Sequence, residues 1–149
     1  MQLTDHFTLE ELTASDVART RQIDNTPSAA TVENLRRLAQ TLEQARVLLG
    51  GKPMQITSGY RCPALNRAVG GVASSAHLAG LAADFVCPKF GAPLDVVRKL
   101  AASNLAFDQL IHEGGRWVHI GLAADGAKPR RQVLTAHFSG ESASYTVGA

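Results

Sequence analysis

The segment Ser75-Ala76-His77-Leu78-Ala79-Gly80-Leu81-Ala82-Ala83-Asp84 and the later Trp117-Val118-His119 set two imidazoles and one carboxylate among small residues. Zinc takes nitrogen and oxygen donors in a tetrahedron, and a hydrolytic site gives it three protein ligands while leaving the fourth position to water. His77, Asp84 and His119 would fill three. The step from position 77 to 84 is too long for one helical turn and has the wrong parity for one straight strand, so the pair reads as a loop entering a short strand. Gly80 and the alanines let that loop pass close to a metal. A metal so held polarises a carbonyl and lowers the pKa of its water from about 15.7 toward 7, which is the chemistry of hydrolysis.

The pattern Ser-x-His-x-x-Gly-x-Ala-x-Asp followed by Trp-x-His resembles the zinc D-Ala-D-Ala carboxypeptidase family. That family also includes vancomycin-resistance dipeptidases, phage L-alanyl-D-glutamate endolysins and the hedgehog signalling domain. Thr57-Ser58-Gly59-Tyr60-Arg61 resembles the family's Ser-Gly-Tyr-Arg segment, and Phe107-Asp108-Gln109-Leu110-Ile111 resembles the strand before the last ligand. The similarity runs from about Phe7 to about Ile120. It implies a hedgehog/DD-peptidase-like fold, Zn2+ as cofactor and peptidoglycan stem peptides as partner. It also implies that Arg61 binds substrate near the metal, where a bidentate guanidinium suits a carboxylate or a peptide carbonyl. Ser75 would help hold the substrate in the same scheme.

Amide hydrolysis also needs a base that takes a proton from water and returns it to the departing amine. Family members resembling this chain commonly carry Glu, Asp or His three residues before the last ligand. Arg116 stands there, and a guanidinium cannot be the base. The nearby candidates are Glu113 and His112, and the turn between them and His119 decides which faces the metal. A two-residue turn at Gly114-Gly115 pairs His112 with Trp117 and puts His112 on the face of His119. A three-residue loop from Gly114 to Arg116 pairs Glu113 with Trp117 and puts Glu113 there instead. Glu113 is preferred, because a carboxylate suits the shuttle and the phage-type members have a similar Glu. An ion pair between Glu113 and Arg116 is the bland alternative.

The elements that must position these groups can be read from patterning. Thr8-Leu9-Glu10-Glu11 has the spacing of a capping box and predicts a short helix ending near Ser15. Thr26 followed by Pro27 marks the start of a second, with Thr26 as cap. There Val32, Leu35, Leu38, Leu42, Ala45 and Leu49 recur at helical spacing until Gly50-Gly51. Met54 to Thr57 and Ala82 to Val86 read as strands, Cys62 to Arg67 as a short helix, and Pro93 to about Asn104 as another helix. Gln109 to Glu113 and Arg116 to Leu122 form a hairpin. Arg131 to Phe138 is expected as an edge strand, and the small polar stretch from Ser139 as loosely held. The class is α+β, a small, mainly antiparallel sheet with flanking helices.

A chain of 149 residues, 45% apolar and 19% charged, is one ordinary globular domain over 1–149: N-terminal helices at about 7–49, a metal-site core at about 54–122 and a tail at about 139–149. A formal charge of +2 carries little information about partners. No run spans a bilayer, and nothing resembles a nucleic-acid motif, so neither membrane nor nucleic acid is expected as a partner, and a monomer is. The start lacks a basic segment followed by an apolar one, so the expectation is a chain made in the cytoplasm and, by the resemblance, released to the wall as a phage or prophage lysin. Cys62 and Cys87 are expected as free thiols. The combined expectation is a zinc peptidase cutting beside a D-amino acid in peptidoglycan stems, as a D-Ala-D-Ala carboxypeptidase or a murein endopeptidase. The rival is a catalytically silent zinc-containing binding module of the same fold.

Overall fold

The computed structural model describes residues 1–140 and 142–149. Thr8 accepts a hydrogen bond from Glu11 N and opens α1 (Leu9–Thr13); Ser15 accepts one from Ala18 N and opens α2 (Asp16–Thr20). The apolar stripe predicted from Val32 to Leu49 forms α3 (Ala29–Leu48), stopped by Gly50 and Gly51 at φ 74° and 73°. After it come β1 (Gln55–Ser58), α4 (Pro63–Ala68), a 3-10 turn at Ala76–Ala79, β2 (Ala82–Val86), α5 (Pro93–Ala101), β3 (Gln109–Glu113), β4 (Trp117–Gly121), β5 (Gln132–Ser139) and β6 (Ser142–Val147). The six strands make one sheet in the order β1-β2-β4-β3-β5-β6, antiparallel throughout except for the parallel pair β3 and β5. The class is α+β, as the patterning implied.

Strand alternation splits this sheet into two unlike faces. Ala83 and Phe85 of β2, Val118 and Ile120 of β4 and Leu110 of β3 point one way. All are fully buried in a core shared with Leu35, Leu38 and Leu42 of α3 and Val96, Val97 and Leu100 of α5. Asp84, His119, Ile111 and Glu113 therefore point the other way. The helices cover the first face and leave the second, with Asp84, His119 and Glu113, open to polar chemistry.

Four sequence expectations need correction. Ser28, rather than Thr26, caps α3, accepting from Thr31 N at 3.2 Å; Thr26 N is instead taken by Asp24 Oδ1 at 3.0 Å, so Pro27 precedes the cap. Helix α2 has one buried residue, Ala18, and thus no apolar stripe to announce it. The stretch from Ser139, expected to hang loosely, pairs as β6 from Ser142 opposite Ser139 to Val147 opposite Leu134. Its side chains are exposed, so it is held by backbone pairing and by the strand preference of Tyr, Thr and Val, not by apolar burial. Strand β5 is consequently internal rather than an edge. Both thiols are free, and Cys62 accepts from Leu65 N as the cap of α4. No helix among the described residues is long and apolar enough to cross a membrane.

Leu42, fully buried in α3, and Gln40, exposed on the same helix, give a direct check of this layering. Leu42→Ala should cost about 2–5 kcal/mol in urea unfolding, while Gln40→Ala should stay within about 0.5 kcal/mol. Equal effects would mean that α3 does not bury the face assigned to it.

Candidate metal centre

Three neighbouring strands bring the first donors together. The register sets Ser58 opposite Asp84 and Asp84 opposite His119, so the carboxylate and the imidazole lie side by side on the uncovered face. His119 Nδ1 is 2.9 Å from Asp84 Oδ1. The second imidazole arrives from the 3-10 turn. Ser75 Oγ accepts from His77 N at 3.2 Å to start that turn, and Gly80, at φ 72°, ends it. Asn34 of α3 donates to Ala79 O at 2.9 Å, and a Cβ on Gly80 would sit 3.0 Å from both Leu35 and Thr31 side chains. Helix α3 therefore holds the turn in place, and only glycine fits where it makes contact.

His77 is 2% exposed, and its Nδ1 donates to the Gly59 carbonyl at 2.7 Å. That bond fixes the ring orientation and directs Nε2 at the site, 3.4 Å from Asp84 Oδ1. One ligand atom from each of His77, Asp84 and His119 then lies within 4.8 Å of the others. Burial alone would raise the Asp84 carboxyl, but hydrogen bonds and charge from His119 and His77 outweigh it and hold it well below the usual carboxylate range. Two nitrogens and one anionic oxygen, on side chains no more than 13% exposed, form a donor set that fits zinc.

The residues around the donors are also tied down. Asn25 donates to Thr13 O at 2.9 Å and Tyr60 O at 3.0 Å, and its Oδ1 accepts from Cys62 N at 2.8 Å. These bonds bracket Arg61, whose own N donates to His77 O at 3.1 Å. The Arg61 guanidinium donates through Nη2 to Ser75 Oγ at 3.3 Å, while its Nε is buried without a partner. Burial lowers the Arg61 pKa, against the opposing pull of the Asp84 charge. Sequence reasoning missed Asn25 as a positioning residue: it lies 37 positions from Cys62 in an irregular stretch, and no local pattern marks it.

The two candidate bases part company here. Glu113 pairs with Trp117 and His112 with Val118, so the connection is the three-residue loop Gly114–Arg116, with both glycines at positive φ. Glu113 shares the face of His119. His112 lies on the opposite face, and the two-residue turn that would have aimed it at the metal is not formed. Burial, with Arg98 and His137, lowers its pKa. Burial pushes the Glu113 carboxyl up against the opposing pull of His119, with the Asp84 charge adding to the rise. Among the described residues no ion pair joins Glu113 to Arg116, so the bland role considered for Glu113 is not the one it has.

The model of the family described as peptidase M15 matches residues 5–121. The chain belongs to the peptidase M15 family. No curated protein matches it. Membership makes the protein a metallopeptidase of a zinc-dependent family whose substrates derive from peptidoglycan, and the matched span contains all seven residues singled out from the sequence. Six of those, Arg61, Ser75, His77, Asp84, Glu113 and His119, are brought to this side of the M15 domain; His112 is not. The match ends at Gly121, so β5 and β6 lie beyond it.

Gly59 connects this centre to the N-terminal helices, because a Cβ there would lie 2.2 Å from the Leu12 carbonyl oxygen. Gly59→Ala should therefore displace the carbonyl that holds His77 and weaken zinc retention by about 10- to 100-fold, as loss of an orienting partner does. His77→Ala and His119→Ala should retain less than about one zinc per chain by elemental analysis. Full zinc content in either histidine variant would remove that residue from the ligand set.

Proposed function

We propose that this M15 peptidase hydrolyses a peptide bond beside a D-amino acid in peptidoglycan stem peptides, acting as a D-Ala-D-Ala carboxypeptidase or a murein endopeptidase. In this reading His77 Nε2, Asp84 and His119 Nδ1 hold Zn2+, Glu113 is the general base, and Arg61 with Ser75 receives the substrate. A zinc ion in that position would polarise the scissile carbonyl and make water acidic enough to attack at neutral pH.

The observation that carries the proposal is the placement of Glu113 on the same sheet face as the three donors, one strand away and two residues along from His119. Diagonal neighbours of this kind lie about 7–8 Å apart, with their β-carbons somewhat closer, a spacing that a water bound between the carboxylate and the donors can bridge. Glu113 takes the water proton and passes it to the departing amine. Its partial burial strengthens it as a base, because a carboxylate poorer in water holds a proton more firmly. Arg116, at the position where related proteins often carry the base, is then free of that duty.

Arg61 suits substrate binding for a different reason. Its Nη2 is anchored on Ser75, but its buried Nε has no acceptor in the protein. An unpaired buried donor is costly unless something fills it, and a substrate carboxylate or carbonyl does so. The backbone N–H of Arg61 donates to His77 O at 3.1 Å, so Arg61 is tied to one of the three donor residues.

Digestion of peptidoglycan by the zinc-loaded protein, with fragments identified by mass and new termini, tests the activity. New amino or carboxyl termini next to a D-residue are expected. No cleavage across several peptidoglycan types would instead mark a silent binding module. Glu113→Gln should keep its zinc while turnover falls about 100-fold or more, and the acidic limb of the rate profile, where the carboxylate takes up its proton, should disappear. His112→Ala should be mild; the reverse ranking would displace Glu113. Arg61→Ala should keep zinc but lose roughly 2–5 kcal/mol of transition-state stabilisation, whereas unchanged kcat/KM would return Arg61 to a structural role.

A further inference from the structure

Beyond the donors, the uncovered face continues along β4 and across β3 and β5 to β6, where it changes character. Glu113 pairs with Trp117 on one side and with Ala136 on the other, and Ala136 pairs with Tyr145. These four side chains therefore form one row on the face of the metal centre. Phe138 lies two residues beyond Ala136 on the same face. Its ring is 6.1 Å from that of Trp117 and covers Gly114 so closely that a Cβ there would lie 2.5 Å from it. Despite this packing Phe138 is 37% exposed, and Tyr145 is 54% exposed.

A cation completes the row. The Arg116 guanidinium carbon lies 5.0 Å from the centre of the Phe138 ring. That cation–π contact holds the group beside the ring, and Arg116 is exposed, so its N–H donors stay accessible. Among the described residues it makes no ion pair with any carboxylate. Trp117 is two residues from His119, about 7 Å along the strand, a distance that one residue step of about 3.3 Å and the length of that residue's side chain together cover. A chain lying with its reacting carbonyl at the donors would thus bring a neighbouring residue over the aromatic row.

We propose that Arg116, Trp117, Phe138 and Tyr145 form a specificity subsite for an acidic residue of the stem peptide next to the scissile bond, with Arg116 receiving its free carboxylate and the rings covering its carbon chain. The inference rests on the peptidase reading above and adds to it the substrate's charge. Exposed aromatic surface on a soluble domain commonly marks a binding site, and the fixed guanidinium beside it selects an anion. Two of its four residues, Phe138 and Tyr145, lie on strands beyond the family-matched span. The subsite is then a feature that this chain builds on its C-terminal hairpin.

Trp117 is the single tryptophan of the chain and reports directly on occupancy. The probes are two synthetic stem peptides containing L-Ala-D-Glu, one with the D-Glu carboxyl that is not in the peptide linkage left free and one with it converted to a carboxamide. They are added to the zinc-loaded protein, and fluorescence is read in the first seconds, before turnover. The free acid should change Trp117 emission and bind about tenfold or more tightly than the amide. Arg116→Gln should bring the acid down to the level of the amide, with zinc content unchanged. Phe138→Ala should weaken both peptides. Equal affinity for acid and amide, discrimination that survives in Arg116→Gln, or cleavage with no change in Trp117 emission would each overturn the subsite. A Trp117 response with this discrimination, in a protein that never cleaves, would keep the subsite and overturn the peptidase reading.

Discussion

The bond from His77 Nδ1 to the Gly59 carbonyl, 2.7 Å long and buried, governs the geometry of the whole centre. A neutral imidazole has one protonated nitrogen, so committing Nδ1–H to a carbonyl leaves Nε2 as the lone-pair donor that faces Asp84 and His119. The carbonyl is available because residue 59 has no side chain. The Leu12 backbone occupies the space that a Cβ would need, and Tyr60 N donates to Leu12 O at 2.8 Å. The N-terminal helix α1 thus reaches the centre by hydrogen bonds through main-chain atoms. Asn25 repeats the arrangement on the other side of Arg61, and α3 repeats it under the 3-10 turn. The N-terminal third of the chain contributes no donor, but its contacts hold the donors in place.

The sheet contributes in a complementary way. Its covered face is apolar at Ala83, Phe85, Leu110, Val118 and Ile120 and gives β2, β3 and β4 a rigid backing, so the direction of the residues alternating with these core positions is set by the register. Asp84 alternates with Ala83 and Phe85, and His119 with Val118 and Ile120, all four of these neighbours being fully buried. A shift of one residue in any strand would exchange core for site, which makes the register costly to change. The same alternation sets Glu113 beside the donors and turns His112 away from them.

Much of this was legible in the sequence, for identifiable reasons. Strand β2 and helix α3 announce themselves because their burial is periodic, and the bounds predicted for β2, Ala82 to Val86, are those observed. The hairpin was legible as a hairpin from Gly114-Gly115, yet its register was not, since one residue more or less in the loop is a matter of backbone dihedrals that two adjacent glycines leave open. Strand β6 was misread because its stability comes from main-chain pairing with β5, which leaves no apolar alternation to see. Asn25 was invisible as a functional residue for a related reason. Its importance lies in three main-chain partners far away in sequence, and side-chain-to-backbone bonds leave no pattern at either end.

The central claim is that His77 Nε2, Asp84 and His119 Nδ1 converge on one metal. Crystals of the zinc-loaded protein, measured at the zinc absorption edge, test it most directly through the anomalous difference map. The account predicts a single strong peak about 2.0–2.2 Å from His77 Nε2, His119 Nδ1 and an Asp84 carboxylate oxygen, with His77 Nδ1 still on the Gly59 carbonyl. A peak that engages Cys62, Cys87 or His112, or one that leaves any of the three donors outside bonding distance, would contradict it.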